Sequence, residues 1–350
     1  MKFRPLFVAT QSPGDVYYRC NGFAREMGGE VFPAQCLTKN VFPNWEEVMV
    51  KDPEIMYQIE KAFARCNLAV FQRVSTGQGL SMIMALKEKY DRKILAEIDD
   101  NALMVDECNP GSAFLKPNSD MEHWFKAQLK TCDGVIVSTD NLKEVYMQFN
   151  KNIHVVKNSL DFEMWDKLRK PKKDNKIRIG WQGGQMHNED LDILRPVLPK
   201  LLKKHKNIEF HFFGFIPPFL EMDRVYDHKI VPFFDYPKKV MGLNLDITLA
   251  PLVDTPFNRG KSSLRVLEAG ASRSAVVATA NPHLPYASVI DNGEDGYLAK
   301  TTEDWVNCLD SLILSPVLRR KFSDNLYAKV KRDFNIKDEA KRYEHILRKI

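Results

Sequence analysis

The sequence contains no apolar run approaching the roughly 20 residues that would span a bilayer. Its opening, MKFRPLFVATQSPGD, holds only a short apolar stretch with Pro5 inside it, which reads as a first β-strand and not as a secretory leader. The chain is therefore expected in a cytoplasm unless a partner carries it elsewhere. Cysteine is sparse and scattered: Cys20, Cys36, Cys66, Cys108, Cys132 and Cys308 form no C-x-x-C pair, and no histidine sits at finger spacing from any of them. That argues against a zinc finger or a disulfide framework and for reduced, mostly buried thiols.

Residues of hydrophobic type make up 44% of the chain and charged residues 28%, the balance of a soluble globular protein. At 350 residues the chain exceeds one ordinary core, and two domains are expected. The net charge of +5 is unevenly spread. Residues 167–176 (KLRKPKKDNK) carry six Lys/Arg against one Asp, and 319–350 carry eleven against five acidic residues, which leaves the remainder acidic. Local basicity of this kind attracts phosphates, nucleic acid or an anionic membrane face; the plainer reading is a solvated linker and a solvated helix face.

Short apolar runs recur, each followed by a helical pattern: PLFVAT (5–10), NLAVFQ (67–72), KILAEID (93–99), DGVIVST (133–139) and NIHVVKN (152–158). Unalternating runs of this length are strands buried on both faces, and helices between them imply parallel crossovers. The pattern breaks at the Lys-rich segment 167–176, the natural interdomain linker. A second series follows: KIRIGW (176–181), a long helix over about 188–205, IEFHFFG (208–214), KIVPF (229–233), LDITLA (245–250), a helix over 261–272, AVVATA (275–280) and GYLA (296–299). Helices at about 302–314, 316–332 and 336–349 close the chain. The expected architecture is α/β, with two Rossmann-like domains facing each other across a cleft. Residues 1–166 form the acceptor-side domain, 167–176 the linker and 177–333 the donor domain. Residues 334–350 form a helix packing back on the first domain. Ligands in such folds sit beyond the carboxyl ends of the strands.

The densest chemistry lies in FNRGKSSLRVLEAGASRSAVVAT (257–279). Lys261, Ser262 and Ser263 open a helix, whose free N–H groups and dipole favour a phosphate. Arg259 and Lys261 add positive charge there. Glu268, about two turns on, is placed to accept hydrogen bonds from ribose hydroxyls, although a solvated surface glutamate has the same pattern. Gly183 and Gly184 follow the strand IRIGW and let the backbone approach a diphosphate, with His187 just beyond as a phosphate or acceptor contact. In the first half, Gly14, Asp15, Tyr18 and Arg19 follow the first strand, and Asp99 and Asp100 end another, the position of a general base or an acceptor clamp.

These residues carry a resemblance. The run F-N-R-x-K-S-x-L-R-x-L-E-A-x-A followed by A-V-V-A-T is similar to the donor-binding segment of GT-B glycosyltransferases, especially the retaining group called family 4. IGWQGGQMHNEDLDIL (179–194) resembles that group's entry into the second domain, and 132–161 the end of its first. The resemblance implies a transferase that moves a sugar from a nucleotide-diphosphate sugar, with UDP the expected nucleotide, to an acceptor hydroxyl of a glycan or small molecule, with retention. It implies no metal and no cofactor beyond that co-substrate. It makes Glu268 the ribose partner. The group's first glutamate, eight positions earlier, is replaced here by Gly260. The usual Arg and Lys after the second domain's first strand are also missing, which passes the diphosphate to Arg259 and Lys261. Three alternatives share the fold: a viral-type DNA glycosyltransferase, favoured by the basic segments; a sugar-nucleotide epimerase; and a non-catalytic nucleotide-binding protein.

Overall fold

The computed structural model describes residues 3–9, 13–33, 51–105, 116–168, 174–184 and 187–350. The centre of the basic linker, 169–173, lies outside these, as do Cys36 and Cys108. The strands are β1 (Pro5–Val8), β2 (Glu30–Phe32), β3 (Leu68–Gln72), β4 (Lys93–Ile98), β5 (Gly134–Val137) and β6 (Ile153–Val155), then β7 (Ile177–Gln182), β8 (Ile208–Phe213), β9 (Val225–His228), β10 (Ile247–Ala250), β11 (Ala275–Thr279) and β12 (Tyr297–Ala299). Among the described residues they build two six-stranded sheets, β2-β1-β3-β4-β5-β6 and β12-β11-β10-β7-β8-β9. Every pairing is parallel. The fold is two Rossmann-like halves.

Helices cover both faces of each sheet, which is why LAVFQ of β3, GVIV of β5 and ITLA of β10 are buried at every position. Four helices of the first half start where a hydroxyl or carboxylate satisfies free amides. Asp52 accepts from Glu54 and Ile55, Thr76 from Gly79, Ser119 from Glu122 and Thr139 from Leu142. The first core gathers Phe7, Phe23, Phe63, Phe71 and Phe125, together with Ile336, Ala340, Tyr343 and Leu347 of the last helix, Ile336–Leu347. The second core gathers Trp181, Phe210, Phe212 and Trp305. A third joins the two halves, packing Tyr18, Phe162 and Trp165 against Val266, Leu267 and Leu326. The chain's return crossing lies next to residues 158–162: Leu160 donates to Phe334 O at 2.9 Å and Ile336 donates to Leu160 O at 3.0 Å.

Three expectations change. KIVPF (229–233) is not a strand; the edge strand is VYDH just before it, because Pro232 has no N–H to give a ladder. The long helix over 188–205 is two, Asn188–Asp192 and Leu198–Lys204, interrupted before Pro196, whose ring and missing N–H break a helix interior. The helix expected over 261–272 starts only at Leu264 and runs to Ser272; a separate short helix, Pro256–Arg259, precedes it, with Lys261 to Ser263 in the connection. Cys20, Cys66 and Cys132 are buried free thiols, and Cys308 is half-buried and free. Among the described residues no helix is long and apolar enough to cross a membrane.

The basic C-terminal segment is largely neutralised by its own fold. Lys321, Lys329, Lys331, Arg332, Lys337, Lys341, Arg342 and Arg348 all pair with carboxylates. This is a solvated, ion-paired face.

Candidate functional site

The helical segment after β1 and the carboxyl ends of β4, β7, β8 and β10 converge on a cavity of about 360 Å3 between the two halves. Gly14, Asp15, Tyr18, Asp99, Asp100, Gly183, Gly184, His187, Lys261, Ser262 and Glu268 all line it. A larger open groove of about 990 Å3 runs along β9 and the helix Tyr236–Leu243 and shares Val231 with the cavity, but none of the sequence-derived candidates lines it.

On the second-half wall, two glycines set the shape. Gly214 holds φ +102, and a Cβ there would lie 2.4 Å from the Gly183 carbonyl, so the turns after β7 and β8 touch backbone to backbone. Lys261 forms an ion pair with Asp100 of the opposite half, Nζ to Oδ1 at 2.9 Å. Burial pulls the Lys261 ammonium down, but Asp100, Asp99 and Asp15 outweigh it and hold it above its ordinary value. Ser262 Oγ accepts from Asn158 Nδ2 at 2.8 Å, a second bond across the cleft. Glu268 is 4% exposed and already has three donors: Tyr18 OH at 2.5 Å, Tyr236 OH at 2.9 Å and Gln182 Nε2 at 3.3 Å. Burial raises its carboxyl above the usual range against the pull of those bonds. The side chain is thus part of the interdomain core as well as the cavity wall, and not simply cleft-facing.

His187 rests on Asp190, Nδ1 to Oδ2 at 2.7 Å. Buried Asp190 also accepts from Val253 N and Asn258 Nδ2, so it fixes the loop beyond β10. A carboxylate only accepts, so neutral His187 carries its proton on Nδ1 and leaves Nε2 as an acceptor. Burial keeps the ring below its ordinary pKa.

The first-half wall is acidic. Burial, then Asp15 and Asp100, hold the Asp99 carboxyl well above its usual range. Among the described residues no three carboxylate, imidazole or thiolate groups converge to hold a metal ion.

Three sequence candidates lie elsewhere. Arg259 pairs with Asp254 at 2.6 Å, away from the cavity. Ser263 gives its hydroxyl to Pro285 O at 3.0 Å and caps nothing. Arg19, 1% exposed, is locked to Glu97 at 2.6 Å, Val156 O at 2.7 Å and Asn158 Oδ1 at 3.0 Å, so it positions Asn158 from behind the wall. Gly260, where the resemblance expects a glutamate, has its ideal Cβ 2.8 Å from Leu142 and 3.1 Å from Asn101. The first half fills that space.

The sequence reading missed Arg265, Gln182 and Tyr236. Arg265 lines the cavity beside Gly183, its guanidinium 4.8 Å from the Trp181 ring centre. Its Nη1 is buried without a hydrogen-bond partner among the described residues. The signal was present: Arg265 lies four positions after Lys261, inside the motif itself.

No family model and no curated protein matches this sequence. Solved structures do match in fold. Sucrose-phosphate synthase from Thermosynechococcus elongatus is 15% identical with a TM-score of 0.67, over 99% of this chain and 98% of its own. Anabaena HepE, solved with UDP-glucose, is 12% identical with a TM-score of 0.64, over 99% of this chain and all of its own. S. aureus TarM, solved with UDP, fondaparinux and α-GlcNAc-glycerol, is 16% identical with a TM-score of 0.62 over 87% of this chain, which spans 59% of TarM's length. The architecture is that of the two-domain GT-B glycosyltransferases.

Proposed function

We propose that this chain is a glycosyltransferase. It binds a nucleotide-diphosphate sugar in the cavity between its halves and moves the sugar to an acceptor hydroxyl of a glycan or small molecule. The observation that carries the reading is the meeting of Lys261 and Arg265 with the Gly183–Gly184 turn, opposite Asp15, Asp99 and Asp100. A departing nucleoside diphosphate gains negative charge, and two fixed cations in a site partly shielded from water stabilise that charge as it develops. The glycine turn lets backbone come close, and Arg265, whose Nη1 has no partner, takes the place first assigned to Arg259. Glu268, Gln182 and the Tyr236 hydroxyl mark the nucleoside end. The acceptor enters along the acidic wall, where His187 Nε2 and the Asp99–Asp100 pair are the groups able to receive or hold a proton. HepE and TarM were solved with UDP, so a UDP-linked hexose is the first donor to test. Retention of configuration belongs to the reading through the resemblance.

A thermal-shift series with UDP, GDP and ADP and their sugars tests it, because a ligand selective for the folded state raises the midpoint. The expected result is a clear upward shift by one nucleotide class, followed by nucleotide release that depends on an added acceptor. Release of a free epimerised sugar without acceptor would indicate an epimerase, and a shift without any turnover a binding protein. No shift with any of them would overturn the site assignment.

A further inference from the structure

The polar groups around Glu268 leave acceptor positions unmet among the described residues. A carboxylate offers about four lone-pair positions and an amide oxygen two. Glu268 Oε2 accepts from both Gln182 Nε2 and Tyr236 OH, and Oε1 accepts from Tyr18 OH. Among the described residues one position therefore remains, on Oε1. Gln182, 3% exposed at the last position of β7, lines the same cavity, and its Oε1 has no hydrogen-bond partner among the described residues. The amide cannot turn around, because Glu268 can accept from the nitrogen and not from the oxygen. A buried acceptor left empty beside an anion awaits a donor, and leaving it unmet costs stability.

Resting on the nucleotide-sugar reading above, we propose that Gln182 is a specificity-determining residue: its Oε1 accepts one hydroxyl of the bound nucleoside's ribose while Glu268 Oε1 accepts the other. Two open acceptors on side chains joined by a hydrogen bond suit the two hydroxyls of a vicinal diol. Glu268 also serves to orient Gln182, and the two tyrosine hydroxyls hold Glu268 in turn. The pair thus selects ribonucleotides over deoxyribonucleotides.

Calorimetric titration with a nucleoside diphosphate and its 2′-deoxy and 3′-deoxy forms tests this, using UDP, GDP and ADP as the starting probes. In the wild type each missing hydroxyl is expected to weaken binding about 5- to 10-fold. In Gln182→Met one of those two penalties disappears and the other stays. Gln182→Asn, which withdraws the amide by one methylene, is the milder variant should the first fail to fold, and it shows the same selective loss. Both penalties persisting in the variants would overturn the inference alone, as would equal weakening of all three ligands. Failure of all three nucleoside diphosphates to bind the wild type would overturn the site reading, and this inference with it.

Discussion

Arg19 and Arg265 stand on opposite sides of the cleft, and the fold treats them differently. Arg19 is 1% exposed and bonded to Glu97, Val156 O and Asn158. Arg265 lies over the face of Trp181, with Nη1 unmet among the described residues. Proximity to a cleft is the same for both; what separates them is whether the protein already consumes the charge. The same contrast runs through the two walls. Lys261 on one wall pairs with Asp100 on the other, so its charge becomes available to a phosphate only by trading that carboxylate, whereas Arg265 Nη1 has no hydrogen-bond partner to trade among the described residues.

Breaking the Arg19 side should give the largest effect, and it should be one of stability. Arg19→Ala leaves Glu97 buried without its partner, and removing one member of a buried pair costs about 3–5 kcal/mol. Chemical denaturation should show that loss. Lys261→Ala should instead weaken binding of a nucleoside diphosphate about 10-fold, as for a charge-assisted contact, with the free nucleoside little affected; direct titration checks both ligands. Asp100→Asn sharpens the comparison in the opposite direction. It frees Lys261 and removes a negative charge from the phosphate's surroundings, so affinity should rise roughly 3-fold, an amount typical of a partly exposed pair. Unchanged affinity would mean that Lys261 does not exchange partners.

A separate effect is on pH dependence. Burial, opposed by Arg19, pushes Glu97 from 4.5 up to about 7. A carboxyl raised on folding contributes stability fully present below its unfolded value and lost as pH rises through the folded one. The thermal midpoint should therefore fall between about pH 5 and pH 8, and Glu97→Gln should flatten that slope. Asp99, also raised, adds in the same direction.

The inner strands of both sheets were legible because burial on two faces writes continuous apolar runs such as LAVFQ and AVVAT. The edge strands EVF and VYDH were not legible, because an edge is partly exposed and its polar residues leave no continuous apolar run. In the site, Lys261, Gly183 and Glu268 were legible from local glycine, charge and helix patterns. The hydrogen bond from Tyr18 to Glu268 joins residues 250 positions apart, and no local pattern encodes it. Arg19 and Arg259 misled for the same reason: sequence shows a cation but not the carboxylate that claims it.

In the proposed phosphate grip, Arg265 is the freer cation. The most direct test is calorimetric titration of wild type and Arg265→Ala with the nucleoside diphosphate that stabilises the protein most, and with the matching free nucleoside. The account predicts that the substitution weakens the diphosphate about 10- to 100-fold, the scale of a hydrogen bond to a charged group, and the nucleoside less than about 2-fold. Equal weakening of both ligands, or none of either, would contradict it.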